Sequence, residues 1–261
     1  MTYLLAVDIG NTNITIGAFE DQELTATWRL ATRETRTIDE HAWALQGVLR
    51  SKNVDPDSFD AVVICSVVPP LTEAYVAALA QVTTAEPLVI GPGVRTGIRI
   101  HYDRTQDVGA DRIVDAVAAH QIYGGPLVVV DIGTATVFDA VTADGDYIGG
   151  AISPGMEIAA DAMFRNTSLL RRVEMVAPDR VIGRSTVASM QSGFVYGFAE
   201  LIEGMLARFK VELNPDAPDE VTAVATGGLA NLMAEHTESF NHVNPDLTLV
   251  GLQIVHEMNN A

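Results

Sequence analysis

Short apolar runs alternate with amphipathic stretches along most of the chain. Tyr3–Asp8 is apolar, Gly10-Asn11-Thr12-Asn13 is turn chemistry, and Ile14–Phe19 is rich in β-formers, so the chain opens as strand, turn, strand. A third strand is expected over Leu24–Leu30. Thr37 with Glu40 three residues later forms a capping box and starts a helix whose inward face would include Trp43, Leu45 and Leu49. Ala61–Ser66 is a continuous apolar run, the kind covered on both faces. Pro69-Pro70 should stop it, and Leu71–Val82 and Val108–Tyr123 read as helices, the latter closed by Gly124-Gly125-Pro126.

The opening pattern then returns. Leu127–Thr134 parallels Leu4–Asn11: each is an apolar strand ending in Val-Asp-Ile-Gly, then a polar residue. Thr136–Thr142, a turn at Ala143-Asp144-Gly145-Asp146 and Tyr147–Ile152 complete the second strand–turn–strand–turn–strand unit. A repeat of that length implies two related lobes, placed at residues 1–118 and 119–261. The second continues with a helix after Gly155, a long helix from about Ser185 to Lys210, a strand over Val221–Thr226 and a short helix over Leu229–His236. Leu247–Val250 reads as a strand feeding a terminal helix. The architecture expected is α/β, with a mixed sheet flanked by helices in each lobe.

Composition narrows the function. With 261 residues, 48% apolar and 19% charged, the chain has enough material for a large core. Sixteen Lys+Arg against 34 Asp+Glu give a formal charge of −18, and the nearest thing to a basic cluster is Arg171-Arg172, which argues against nucleic acid as a partner. The single cysteine, Cys65, excludes an internal disulfide and any cysteine-based metal knuckle. The six histidines are scattered without zinc-site spacing. No apolar run approaches the roughly 20 residues of a membrane span, and the first residues lack the basic segment of a signal peptide. A soluble, cytoplasmic protein without membrane association is expected.

Three loops carry candidate chemistry. In Asp8-Ile9-Gly10-Asn11-Thr12-Asn13, Gly10 permits a positive φ and leaves room for a phosphate. The side chains of Asn11, Thr12 and Asn13 can donate to phosphate oxygens, and Asp8 is placed to hold a cation directly or through water. Asp131-Ile132-Gly133-Thr134-Ala135-Thr136 is a second copy, and two such loops facing each other could hold a polyphosphate tail. No P-loop or Gly-x-Gly-x-x-Gly sequence is present. Ala225-Thr226-Gly227-Gly228 lies between a strand and a helix, where paired glycines could admit a base and ribose or merely make a tight turn. Ser192-Gly193 and Gly197 suggest close helix packing on the long helix.

These loops, in this order, resemble the sugar-kinase/Hsp70/actin superfamily. With Gly109-Ala110-Asp111-Arg112, Gly149-Gly150-Ala151-Ile152-Ser153-Pro154-Gly155 and Ile182-Gly183-Arg184-Ser185-Thr186, the chain resembles type III pantothenate kinases over nearly its whole length. The resemblance implies two actin-like (ribonuclease H-like) lobes with an ATP cleft between them, and phosphorylation of pantothenate as the activity. It implies Asp111 as proton acceptor, and Tyr102, Gly109, Ala110, Arg112 and Thr186 with Asp111 as substrate-binding positions. Asp8, Gly10, Asn11, Thr12, Asn13, Gly133, Thr134, Gly227 and Gly228 would bind ATP, Mg²⁺ would accompany it near Asp8, and Asp131 would hold a monovalent cation such as K⁺ or NH₄⁺. A homodimer is implied as well. The rival readings are another small-molecule kinase or phosphatase of the superfamily, and a non-catalytic regulatory homologue. Arg104-Thr105, Val137 and Leu169-Leu170 depart from the family pattern without touching Asp8, Asp111 or Asp131.

Overall fold

In the computed structural model residues 2–260 are described, and they form two compact units. The first is built from residues 2–97, 104–118 and 247–260, the second from residues 98–103 and 119–246.

In the first unit, β1 (Tyr3–Ile9), β2 (Asn13–Glu20) and β3 (Glu23–Ala31) form an antiparallel meander, and β4 (Ala61–Ser66) and β5 (Pro87–Val89) add parallel strands in the order β3-β2-β1-β4-β5. Side chains alternate along a strand, so Leu5, Val7 and Ile9 point to one face and Leu4, Ala6 and Asp8 to the other. The first face buries its apolar groups with α1 (Ile38–Ser51) and α2 (Pro69–Leu79), through Leu45, Leu49, Leu71 and Tyr75. Against the strands themselves packs α7 (Leu247–Asn260), which touches β1, β2 and β4.

The second unit repeats the plan. Here β6 (Leu127–Ile132), β7 (Ala135–Val141) and β8 (Tyr147–Pro154) form the meander, and β9 (Thr222–Thr226) and β10 (His242–Val243) run parallel in the order β8-β7-β6-β9-β10. Val128, Val130, Ile132 and Phe138 make the core with α4 (Met156–Asn166), α5 (Thr186–Leu213) and α6 (Ala230–Ala234), through residues such as Met156, Val195, Ile202 and Met233. Both meanders carry a register shift in their outer hairpin, at Ala18/Phe19 and Ala140/Val141. The remaining helix, α3 (Ala110–Tyr123), is where the division at 118/119 falls.

Several expectations need correcting. The terminal segment is helical from Leu247 onward, with no strand over Leu247–Val250, and it belongs to the first unit rather than to the second lobe as the 1–118/119–261 division placed it. The cause is its apolar face: Leu249, Leu252 and Val255 are buried, with Leu249 beside Gly17 of β2. Trp43 is 77% exposed, because it lies about 200° around α1 from Leu45 and both cannot face inward. Pro69 and Pro70 begin α2 instead of merely ending β4, since proline suits the first helical turn. Gly193 and Gly197 have nothing within 4 Å of where a Cβ would stand, so they mark no close helix packing.

At Gly251, by contrast, a Cβ would collide with the carbonyl oxygen of Val114 on α3 and lie 2.6 Å from its Cγ1. Gly251→Ala should therefore destabilise the protein by about 1–3 kcal/mol, read from urea unfolding. An unchanged midpoint would mean that the two helices separate without cost.

Candidate active site

In the first unit Asp8 stands near the end of β1, paired in register with Thr15 of β2 and Cys65 of β4. Beyond it the backbone turns through four residues, closed by Gly10 N–H donating to the Asn13 carbonyl at 3.0 Å. Thr32 steadies this turn from β3's end, donating its hydroxyl to the Gly10 carbonyl at 2.7 Å and its N–H to the Thr12 carbonyl at 3.0 Å. Asn11, Thr12 and Asn13 are left exposed. Gly10 does not take a positive φ; a Cβ there would press on the Asn13 carbonyl at 3.0 Å, so glycine serves close packing instead.

Asp111 belongs to the same unit. It lies in the first turn of α3, and its Oδ1 accepts the backbone N–H of Arg112 at 2.8 Å. A Cβ at Gly109 would strike that carboxylate, which explains the glycine at the head of the Gly-Ala-Asp-Arg block. Burial pushes the Asp111 pKa above its ordinary 3.8, against the opposing pull of the Arg112 backbone and guanidinium. Burial pushes the Cys65 thiol well above its usual range, helped by the negative charges of Asp8, Asp111 and Asp115. Asp8 and Asp111 are thus brought into one electrostatic neighbourhood around Cys65. Arg112 is 8% exposed and Asp115 only 3%. Asp115 went unnoticed in the sequence, although its i+4 spacing from Asp111 places both on one face of a helix.

In the second unit Asp131 registers with Thr226 of β9 and Val137 of β7. Its loop is one residue shorter than the first: three residues separate Ile132 from Thr136, whereas four separate Ile9 from Ile14. Gly133 N–H donates to the Ala135 carbonyl at 2.9 Å to close it. Thr134 is half-buried, and Thr136, fully buried on the core face with Ile132, has no hydrogen-bond partner for its hydroxyl among the described residues. Two glycines fit around this loop. A Cβ at Gly155 would collide with the carbonyl oxygens of Gly133 and Thr134. Gly227, at φ +90°, would place one against Asp131 Oδ1 and 2.8 Å from both N and O of Ile132. Gly228 is exposed, and the Leu229 N–H ties the same turn to the Ile132 carbonyl at 3.0 Å. Gly227 thus has a packing role against the Asp131 loop that the sequence reading missed.

The remaining substrate candidates are also in the second unit. Tyr102, 38% exposed, lies on the strap 98–103 with its ring 6.3 Å from that of Tyr147. Thr186 is exposed at the start of α5; the helix is capped by Ser185, whose hydroxyl accepts the Ala188 N–H at 3.1 Å, so Thr186 does not act as the cap. Among the described residues no group of three or more His, Cys, Asp or Glu side chains is arranged to hold a metal. A carboxylate beside a loop of exposed polar side chains, as at Asp8, still fits Mg²⁺, which takes one or two carboxylates and completes its shell with other oxygens and water. None of the described helices is long and apolar enough to cross a membrane.

Comparison with known proteins gives a consistent result. A family model of type III pantothenate kinases matches residues 4–208. The type III pantothenate kinase of Moorella thermoacetica is 46% identical over 256 residues, covering 98% of this chain and 99% of that protein. Among solved structures, a Baf family transcriptional activator from Campylobacter jejuni superposes with a TM-score of 0.61 at 19% identity over 98% of both chains. The inorganic polyphosphate/ATP-glucomannokinase of Arthrobacter sp. strain KM superposes with a TM-score of 0.53 at 16% identity, over 99% of this chain and 100% of that one. At such identities these structures speak for the fold alone, the two-lobed actin-like α/β class.

Proposed function

The chain belongs to the type III pantothenate kinase family, and from that premise we propose that it transfers the γ-phosphoryl group of ATP to the primary alcohol of pantothenate. The product is 4'-phosphopantothenate, the first intermediate on the way to coenzyme A. The observation that carries the mechanism is Asp111: a half-buried carboxylate with a raised pKa, at a helix start, in the same neighbourhood as Asp8 and its loop. Phosphoryl transfer is loose, so its base mainly orients the attacking hydroxyl and takes the proton late, and a raised pKa improves an aspartate for that task.

The other residues take roles that suit their chemistry. Arg112 is buried and always charged, and its fork matches the pantothenate carboxylate. Asn11, Thr12 and Asn13 in one loop, and Gly133 and Thr134 in the other, offer donors to phosphate oxygens, while the turn at Gly227-Gly228 receives the adenosine. Tyr102 and Thr186 are exposed side chains for contacting substrate. Asp8 would hold Mg²⁺ and Asp131 a monovalent cation, which when bound supply positive charge against the phosphates that this chain of net charge −18 lacks. The protein works as a cytoplasmic homodimer without nucleic-acid or membrane partners; the exposed Leu169, Val181 and Ile182 support an apolar interface.

Release of ADP with Mg²⁺-ATP and K⁺ should depend on pantothenate, and phosphorus NMR should find a phosphomonoester on it. Turnover with sugars or polyphosphate in its place, and none with pantothenate, would move the protein to another branch of the superfamily.

A further inference from the structure

The strap carrying Tyr102 is held by a short backbone bridge and by one carboxylate. Residues 98–103 run alongside the start of β8: Ile100 pairs with Tyr147 in a parallel bridge, His101 N–H donates to the Tyr147 carbonyl at 2.8 Å, and Tyr147 N–H donates to the Arg99 carbonyl at 2.9 Å. A single bridge of this kind is little to order six residues, all of which have exposed or half-buried side chains. The remaining restraint comes from Asp146 in the β7–β8 turn. Its Oδ1 accepts Arg99 Nε at 2.9 Å, and its Oδ2 lies 3.0 Å from His101 Nε2. The backbone that carries this carboxylate is itself fixed, because Asp146 N–H donates to the Thr142 hydroxyl at 3.0 Å and Thr142 N–H to the Asp146 carbonyl at 2.9 Å. The acid is 17% exposed, while Arg99 and His101 are 75% and 58% exposed, so a sheltered anchor meets two exposed side chains.

Tyr102, the next residue, is aimed by this arrangement. Its ring lies over Gly149, where a Cβ would approach it to 3.7 Å, and beside Tyr147, whose hydroxyl donates to the buried Asp139 at 2.8 Å. We propose that Asp146, with Arg99 and His101, positions Tyr102 for contact with pantothenate, a role that rests on the kinase reading above. The Arg99 hydrogen bond holds the Asp146 carboxyl below its ordinary range, so the anchor stays ionised wherever the enzyme works. Asp146 touches no substrate; it acts through the strap.

Steady-state kinetics separate this role from a general structural one. Asp146→Asn should raise the KM for pantothenate by about tenfold, with kcat and the KM for ATP within about twofold of wild type. Asp146→Glu, which keeps the charge, should recover part of the loss. The double variant Arg99→Gln/His101→Gln attacks the restraint from the exposed side, where folding is not at risk, and should give the same selective rise. Adding Asp146→Asn to it should bring little more, because all three groups act as one unit. A pantothenate KM unchanged in both the Asp146 and the strap variants overturns the proposal, as does a parallel loss in kcat and the KM for ATP. Wild-type protein that leaves pantothenate untouched would instead bring down the kinase reading itself, and this role with it.

Discussion

Asp111→Asn should reduce turnover of pantothenate by a factor of about 10²–10⁴ while calorimetric binding of pantothenate stays close to wild type. The amide keeps the shape and the oxygen that accepts the Arg112 N–H at 2.8 Å, but takes no proton from a hydroxyl. Stability should move the other way. Burial raises the folded-state pKa of Asp111, so the folded protein binds that proton more tightly than the unfolded chain does. The associated stabilisation is present at low pH and is lost as pH rises through the folded pKa. At neutral pH the wild type therefore bears a half-buried charge that the asparagine variant lacks, and the variant should melt at the same temperature or higher. The same shift fixes the sign of the pH profile: kcat/KM should fall on the acid side with an apparent pKa above 3.8, the ordinary value for the group. Wild-type rates in the variant would remove Asp111 from the proton-accepting role.

Gly227→Ala is expected to have the largest effect on stability. A Cβ there meets Asp131 Oδ1 and approaches the backbone of Ile132 to 2.8 Å, and the φ of +90° is strained for any L side chain. Neither obstacle yields easily, because Ile132 is fixed by its pairing with Thr136 and by the bond from Leu229. A loss of about 2–4 kcal/mol follows, equivalent to a fall of roughly 5–12 °C in Tm for a chain of this size. Because the intruding methyl displaces the carboxylate proposed to hold a monovalent cation, stimulation by K⁺ should weaken along with stability. A variant that melts with the wild type would show that the turn has room the structure does not suggest.

Much of this molecule is legible along the chain, and the exceptions have physical causes. Ala61–Ser66 emerges as β4 with the expected boundaries because a continuous apolar run between a polar stretch and Pro69-Pro70 has few alternatives. The capping box at Thr37 and Glu40 is present, since it depends only on residues within one turn of helix. The repeated Val-Asp-Ile-Gly marks equivalent places in two sheets of the same strand order. What local pattern misses is set by distant partners. Leu247–Val250 is apolar enough for a strand, and it is the neighbouring sheet of the first unit that makes it helix. The two-residue β10 and three-residue β5 exist only as additions to β9 and β4. Gly227 reads as a base and ribose contact or a tight turn, and Gly155 as the residue ahead of a helix, yet each is required by a loop far away in sequence. Asp146 looks like one more turn acid until Arg99 and His101, more than 40 residues earlier, are seen to reach it.

The return of α7 to the first sheet has a consequence for biosynthesis. Residues 119–246 must be translated before α7 emerges, which at roughly 5–20 residues per second takes on the order of ten seconds. Throughout that interval the side of β1, β2 and β4 that α7 covers, the side bearing Asp8, stands open while the chain is still attached to the ribosome. A nascent chain in this condition exposes apolar surface to solvent and to its neighbours, so it is during synthesis, rather than in the finished enzyme, that this fold is most open to aggregation and to capture by chaperones.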